Sequence, residues 1–119
     1  MAVKDLLANL VTEELIEGYE VKRKEEGLWK EVKCILKNGS SMIINKLNQK
    51  QSKEGFQAQF KEHCLATEIR IVAYYTSQGD KIREWVKEVE VKDNSGLVVI
   101  CLEEAKELEF INKLKTFII

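Results

Sequence analysis

"LWKEVKCILKNGSSMIINK", residues 28–46, decides the fold, because a turn signal separates two strand-like runs. Leu28, Val32, Cys34 and Leu36 share one parity, and Trp29, Glu31, Lys33, Ile35 and Lys37 share the other. Alternation with a period of two marks a half-buried strand. Met42, Ile43 and Ile44 follow as a continuous apolar run, the pattern of a strand covered on both faces. Between the runs stands Asn38-Gly39, which favours a two-residue type I′ turn because both of its central positions need φ > 0. The spacing predicts strands over 28–37 and 40–47, joined as an antiparallel hairpin. Lys37 then faces Ser40, Ile35 faces Met42, Lys33 faces Ile44 and Glu31 faces Lys46. Glu31 and Lys46 would share a face, with β-carbons about 5 Å apart.

Working outward, Val3, Leu6, Leu7, Leu10, Val11 and Leu15 recur at helical spacing and predict a helix over 3–17, with Gly18 as its stop. "YEVKRKEE" (19–26) alternates weakly and carries enough charge for an edge strand. Residues 50–66 read as a second helix burying Phe56, Phe60, Cys64 and Leu65. "EIRIVAYYT" (68–76) is β-branched and aromatic, as in a central strand. Asp80 can cap a helix over 81–89 that presents Ile82, Trp85, Val86 and Val89, although "WVKEVEV" also has a strand reading. "KDNSG" reads as a turn, "LVVICL" (97–102) as a buried strand, and 103–117 as a closing helix with Ala105, Leu108, Phe110, Ile111, Leu114 and Phe117. The order α-β-β-β-α-β-α-β-α over residues 1–119 predicts a single α/β domain with a five-stranded mixed sheet flanked by helices.

Composition narrows the function classes. Hydrophobic residues make up 45% and charged residues 33% of 119 positions, which fits a globular chain with one core. Lys and Glu dominate the charges, a bias seen in thermophile proteins. The net charge of −1 argues against a protein that coats nucleic acid electrostatically. No apolar run is long enough for a membrane helix, and the N-terminus lacks a signal-peptide pattern, so a cytoplasmic location with no membrane partner is expected. Cys34, Cys64 and Cys101 are scattered and are expected to be reduced. His63 is the only histidine, so any triad would have to use it; its neighbour Cys64 points about 100° away on a helix, and a surface position is expected for His63. One His and three dispersed Cys are a poor zinc set, and no phosphate-binding glycine motif is present.

The α-β-β-β-α-β start, with carboxylates near the middle strand and Lys46 ending the third, resembles the core of the restriction-endonuclease-like nucleases, which include the archaeal Holliday-junction resolvases. The resemblance covers roughly residues 3–76. That superfamily's PD…(D/E)-x-K pattern implies two acids holding Mg²⁺ and a Lys that orients or activates the attacking water. Carried over, the final Lys is Lys46 and the first acid is Glu31, while the second acid position falls on Ile44. Glu14 stands in a group with Glu13 and Glu17 near the start of the sheet. The candidate catalytic residues are thus Glu14, Glu31 and Lys46, with no metal or cofactor expected unless the chain is a Mg²⁺ nuclease. Lys46, Lys50 and Lys53, with Gln49, Gln51, Gln57 and Gln59 nearby, are the candidates for contacting a phosphate backbone. The leading expectation is a non-catalytic interaction or accessory protein, with a homodimer through the apolar C-terminal helix. A degenerate nuclease-like protein that binds nucleic acid is the alternative. A Mg²⁺-dependent nuclease with rearranged acids is the second alternative.

Overall fold

The alternation of residues 28–46 is realised in the middle of a five-stranded sheet. The computed structural model describes residues 3–47, 50–66, 68–89, 97–103 and 106–118. Along the chain the elements are α1 (Val3–Thr12), β1 (Ile16–Glu25), β2 (Leu28–Leu36), β3 (Ser41–Lys46), α2 (Lys53–Leu65), β4 (Ile69–Tyr75), α3 (Gly79–Lys87), β5 (Val98–Leu102) and α4 (Glu107–Ile118). This is the expected order, and the sheet runs β1-β2-β3-β4-β5. Strands β1 to β3 pair antiparallel, and β3 to β5 pair parallel.

Each face of the sheet carries its own core. On one side Leu6, Leu7 and Leu10 of α1 and Phe110, Ile111 and Leu114 of α4 pack on Val32, Cys34, Met42, Ile44, Ala73 and Ile100. On the other, Phe56 and Phe60 of α2 and Ile82 of α3 pack on Ile43, Val72 and Tyr74. Strand β3 is therefore apolar at successive positions because both of its faces are covered. Deleting a buried Leu side chain in either layer costs about 2–5 kcal/mol in comparable cores.

Helix ends differ from expectation in instructive ways. Helix α1 stops at Thr12, well before Gly18. Glu14 takes a left-handed backbone, φ 59°, while its N–H donates to the Val11 carbonyl and Leu15 N–H donates to the Leu10 carbonyl. This is a Schellman ending with Glu where Gly is usual. It lets Leu15 and Ile16 drop into the core and start β1 early. In α2 the cap is Ser52, whose hydroxyl accepts from Gly55 N–H at 3.1 Å. Its buried stripe is Phe56, Phe60 and His63, whereas Leu65, expected inside, is 75% exposed. The helix expected over 81–89 is present as α3, but it runs from Gly79 to Lys87, so it starts two residues earlier and ends two residues sooner; its cap is Gln78, and Asp80 lies in the first turn. The "KDNSG" turn lies outside the described residues.

The register of the central hairpin is the main correction. Cys34 pairs with Met42, Val32 with Ile44, and Glu31 with Asn45. Leu36 N–H donates to the Ser40 carbonyl and Gly39 N–H to the Leu36 carbonyl. The loop therefore has three residues: a type I turn followed by Gly39 at φ 87°. Asn38 keeps a negative φ, and its side chain accepts from Ser40 N–H at 3.0 Å. Relative to a two-residue turn, β3 slips by one position along β2. A slip of one sends every side chain to the other face. Glu31 and Lys46 consequently do not pair. A second bulge, in β1–β2, turns Trp29 onto the α1 side, where it packs against that core rather than beside Glu31.

Candidate functional site

The register lines up one residue per strand across the whole sheet: Arg23, Glu31, Asn45, Tyr74 and Cys101. Parity puts this row on the side covered by α2 and α3. Helix α2 brings two polar groups over it. Gln59 and His63 are four residues apart, so they project from one side of the helix. Both address the same oxygen: Gln59 Nε2 lies 3.4 Å and His63 Nε2 lies 3.7 Å from Glu31 Oε1.

The group is largely closed to solvent. Asn45 and Tyr74 are 0% exposed and His63 is 8% exposed, while the Glu31 side chain keeps 21%. The Asn45 amide nitrogen and oxygen, the Tyr74 hydroxyl and His63 Nε2 have no hydrogen-bond partner among the described residues. An unpaired buried polar group costs about 1–3 kcal/mol. Burial dominates the titration of His63, Tyr74 and Cys101. It lowers the pKa of His63, against the opposing pull of Glu31 and Glu62, so the ring is neutral at pH 7 and its contact with Glu31 is not an ion pair. Burial raises the Tyr74 phenol and the thiols of Cys64 and Cys101. Cys34, on the other face, is pushed up to about 12. A thiol attacks as its thiolate, so burial slows the reactions of these cysteines. Chemically, the row can hold one carboxylate under two neutral side chains. It is not shaped to present an activated nucleophile.

The residues expected to act together are dispersed. Glu14 sits exposed in the turn between α1 and β1. Glu31 lies beneath α2. Lys46 points to the α1/α4 side, with its ammonium 5.6 Å from the centre of the Tyr75 ring and buried Ile44 two residues before it on the same face. The Tyr75 hydroxyl donates to Glu107 at 3.2 Å. Lys50 is exposed ahead of α2. Lys53 crosses to α3, where its ammonium meets Glu88 at 2.6 Å and holds that carboxyl below its usual range. Gln57 reaches the same carboxylate and the Trp85 carbonyl, so Lys53 and Gln57 tie α2 to α3. Lys46 and Lys53 thus serve opposite faces. Of the glutamines named with them, Gln49 lies outside the described residues.

The sequence reading placed His63 on the surface, where the structure buries it, set Gln59 among the candidates for contacting a phosphate backbone, and did not single out Tyr74. A signal was present: Phe56, Phe60 and His63 are spaced i, i+4, i+7, which places His63 on the apolar stripe of α2. A second surface also went unnoticed. Tyr19 and Trp29 lie 5.7 Å apart on the β1–β2 hairpin, and the ammonium groups of Lys4 and Lys24 each lie 5.9 Å from the Trp29 ring centre. Tyr19 is 44% exposed. Among the described residues, no group of three or more His, Cys, Asp or Glu side chains could hold a metal ion, and no helix is long and apolar enough to cross a membrane. No protein-family model, curated protein or solved structure matches the chain.

Proposed function

We propose that this chain is a non-catalytic interaction protein, an accessory domain that works through its surface. One observation carries the reading: Glu31 and Lys46 project from opposite faces of the sheet, and Ile44 occupies the position beside Lys46 where an acid would be needed. Metal-assisted phosphodiester cleavage requires acids and a lysine that converge on one water. Self-association through α4 belongs to this proposal, because Leu108 is 70% and Phe117 is 40% exposed there. The two residues stand nine positions apart, on opposite sides of the helix, so each would supply a separate contact.

Nucleic-acid binding is the second reading, favoured by the Tyr19–Trp29 pair with Lys4 and Lys24 around it. Aromatic rings flanked by cations suit single strands, since every base has a stacking face. One experiment separates the readings: fluorescence anisotropy of a labelled single-stranded oligonucleotide at low salt, followed by a gel of the same mixture with Mg²⁺. The first reading expects flat anisotropy and an intact oligonucleotide. Salt-sensitive binding that is lost in Lys4→Gln/Lys24→Gln would support the second. Mg²⁺-dependent cleavage that disappears in Glu31→Gln would overturn the non-catalytic assignment.

A further inference from the structure

We propose that the cleft at the carboxyl end of β5 is a binding site for a small oxyanion, a phosphate or carboxylate group on a compact molecule. The topology supplies the location. Strands β3 and β4 send the chain to α2 and α3 on one face, whereas β5 sends it to α4 on the other. Helices α3 and α4 therefore flank β5, the edge strand, from opposite faces.

A cleft of about 170 Å³ lies there along the outer edge of β5, and its lining includes Cys101, Leu102 and Glu103 at the end of β5, Arg83 of α3, and Lys106 and Lys113 beside and within α4. That space suits a single phosphate-sized group and is well below the roughly 300–1,000 Å³ of pockets for drug-sized ligands. Among the described residues the lining holds three cations, Arg83, Lys106 and Lys113, and two carboxylates, Glu103 and Glu109, with Asp80 beside Arg83. Two of the cations are engaged only at the surface: Arg83 pairs with fully exposed Asp80 at 3.0 Å, and Lys106 pairs with Glu103 at 3.6 Å. Exposed pairs of this kind contribute little and rearrange easily. Lys113 meets no carboxylate among the described residues.

A backbone donor completes the site. Thr76 N–H donates to the Leu102 carbonyl at 2.9 Å, so the Leu102 backbone faces β4. In parallel strands, alternate residues direct both N–H and C=O to the same side, which turns the Cys101 backbone groups toward the outer edge of β5, while the Glu103 carbonyl accepts from Lys106 N–H at 3.0 Å. An oxyanion there meets a backbone N–H as well as side-chain charge. The field of Arg83 and Lys113 already reaches the half-buried Cys101 thiol, whose sulfur lies 3.8 Å from the Gly79 carbonyl oxygen.

That thiol provides a local readout. Alkylation of the whole protein by iodoacetamide is followed by mass spectrometry with and without millimolar inorganic phosphate, at constant ionic strength set with chloride. Cys64, half-buried on α2, serves as the internal reference. The site expects phosphate to slow Cys101 several-fold, to leave Cys64 unchanged, and to shift the amide signals of residues 101–103. Lys113→Gln, a change at an exposed position, should remove both effects in a protein that stays folded. A small dicarboxylate run in parallel distinguishes the two sources of the oxyanion. Equal slowing of both thiols, amide shifts elsewhere, or protection that survives in Lys113→Gln and Arg83→Gln alike would overturn the assignment.

Discussion

Two hairpins join the first three strands, and their turns obey different rules. Between β1 and β2 the loop has two residues, Glu26 and Gly27, both with positive φ (51° and 77°), while Glu25 pairs with Leu28. That is the geometry of a type I′ turn, built with a Glu that has no preference for it. Between β2 and β3 the dipeptide best suited to type I′, Asn38-Gly39, is used instead within a three-residue loop. Turn propensity favoured the wrong hairpin because it is worth a few tenths to one kcal/mol, whereas register decides which side chains are buried. The longer loop aligns Val32 with Ile44 and Cys34 with Met42, so apolar residues of both strands meet under α1 and α4. The shorter one would set Lys33 against Ile44 within the sheet.

The largest expected effect tests that account by changing loop length. Deleting Ser40 preserves the register only through a two-residue Lys37-Asn38 turn, which demands φ > 0 at Lys37; keeping the three-residue loop instead pairs Leu36 with Ser41 and slips β3 by one residue, turning Met42 and Ile44 away from the α1/α4 core. Loss of cooperative unfolding, followed by circular dichroism in urea, is expected. Deleting Lys37 leaves a two-residue Asn38-Gly39 loop with the Leu36–Ser40 pair intact. It forfeits the bond from Lys37 N–H to the Leu15 carbonyl and should cost only about 1 kcal/mol. Collapse of both variants, or of neither, would break the comparison. Next in size are opposite responses of the two turns to substitution. Gly39→Val places a β-branched residue at φ 87° and should lose about 1–3 kcal/mol. Glu26→Asn suits its left-handed position and should gain about 0.5 kcal/mol in the same denaturation assay. Smallest is the coupling between Glu31→Gln and Lys46→Met in a double-mutant cycle. Residues on opposite faces should be additive to within about 0.5 kcal/mol. A coupling near 1 kcal/mol would restore the cross-strand pair and the two-residue loop.

The polar row is a consequence of the same register. Glu31 faces His63 and Gln59 because its parity in β2 is opposite to that of Val32, Cys34 and Leu36, and the slip of β3 set Asn45 rather than Lys46 beside it. His63 was hard to assign from sequence, since histidine sits on surfaces and in interiors with similar ease. Its place on the stripe with Phe56 and Phe60 was visible, but the partner that makes the position informative comes from a strand 32 residues earlier. Glu14 shows another limit: its left-handed ending of α1 is set by Leu15 and Ile16 entering the core, not by any preference of Glu.

Local chemistry accounts for the list of elements. Helical spacing in α1 and α4, β-branched runs in β4 and β5, and the Asn38-Gly39 turn were legible because each rests on short-range preferences. The element order, and with it the α/β architecture, follows from them. The pairing of β2 with β3 was not legible. Met42, Ile43 and Ile44 are apolar at every position, so β3 carries no parity by which to choose a register. Burial on both faces makes it equally acceptable either way up. The choice falls to the packing of α1, α4 and α2 against the assembled sheet, and that packing sends Glu31 to one face and Lys46 to the other.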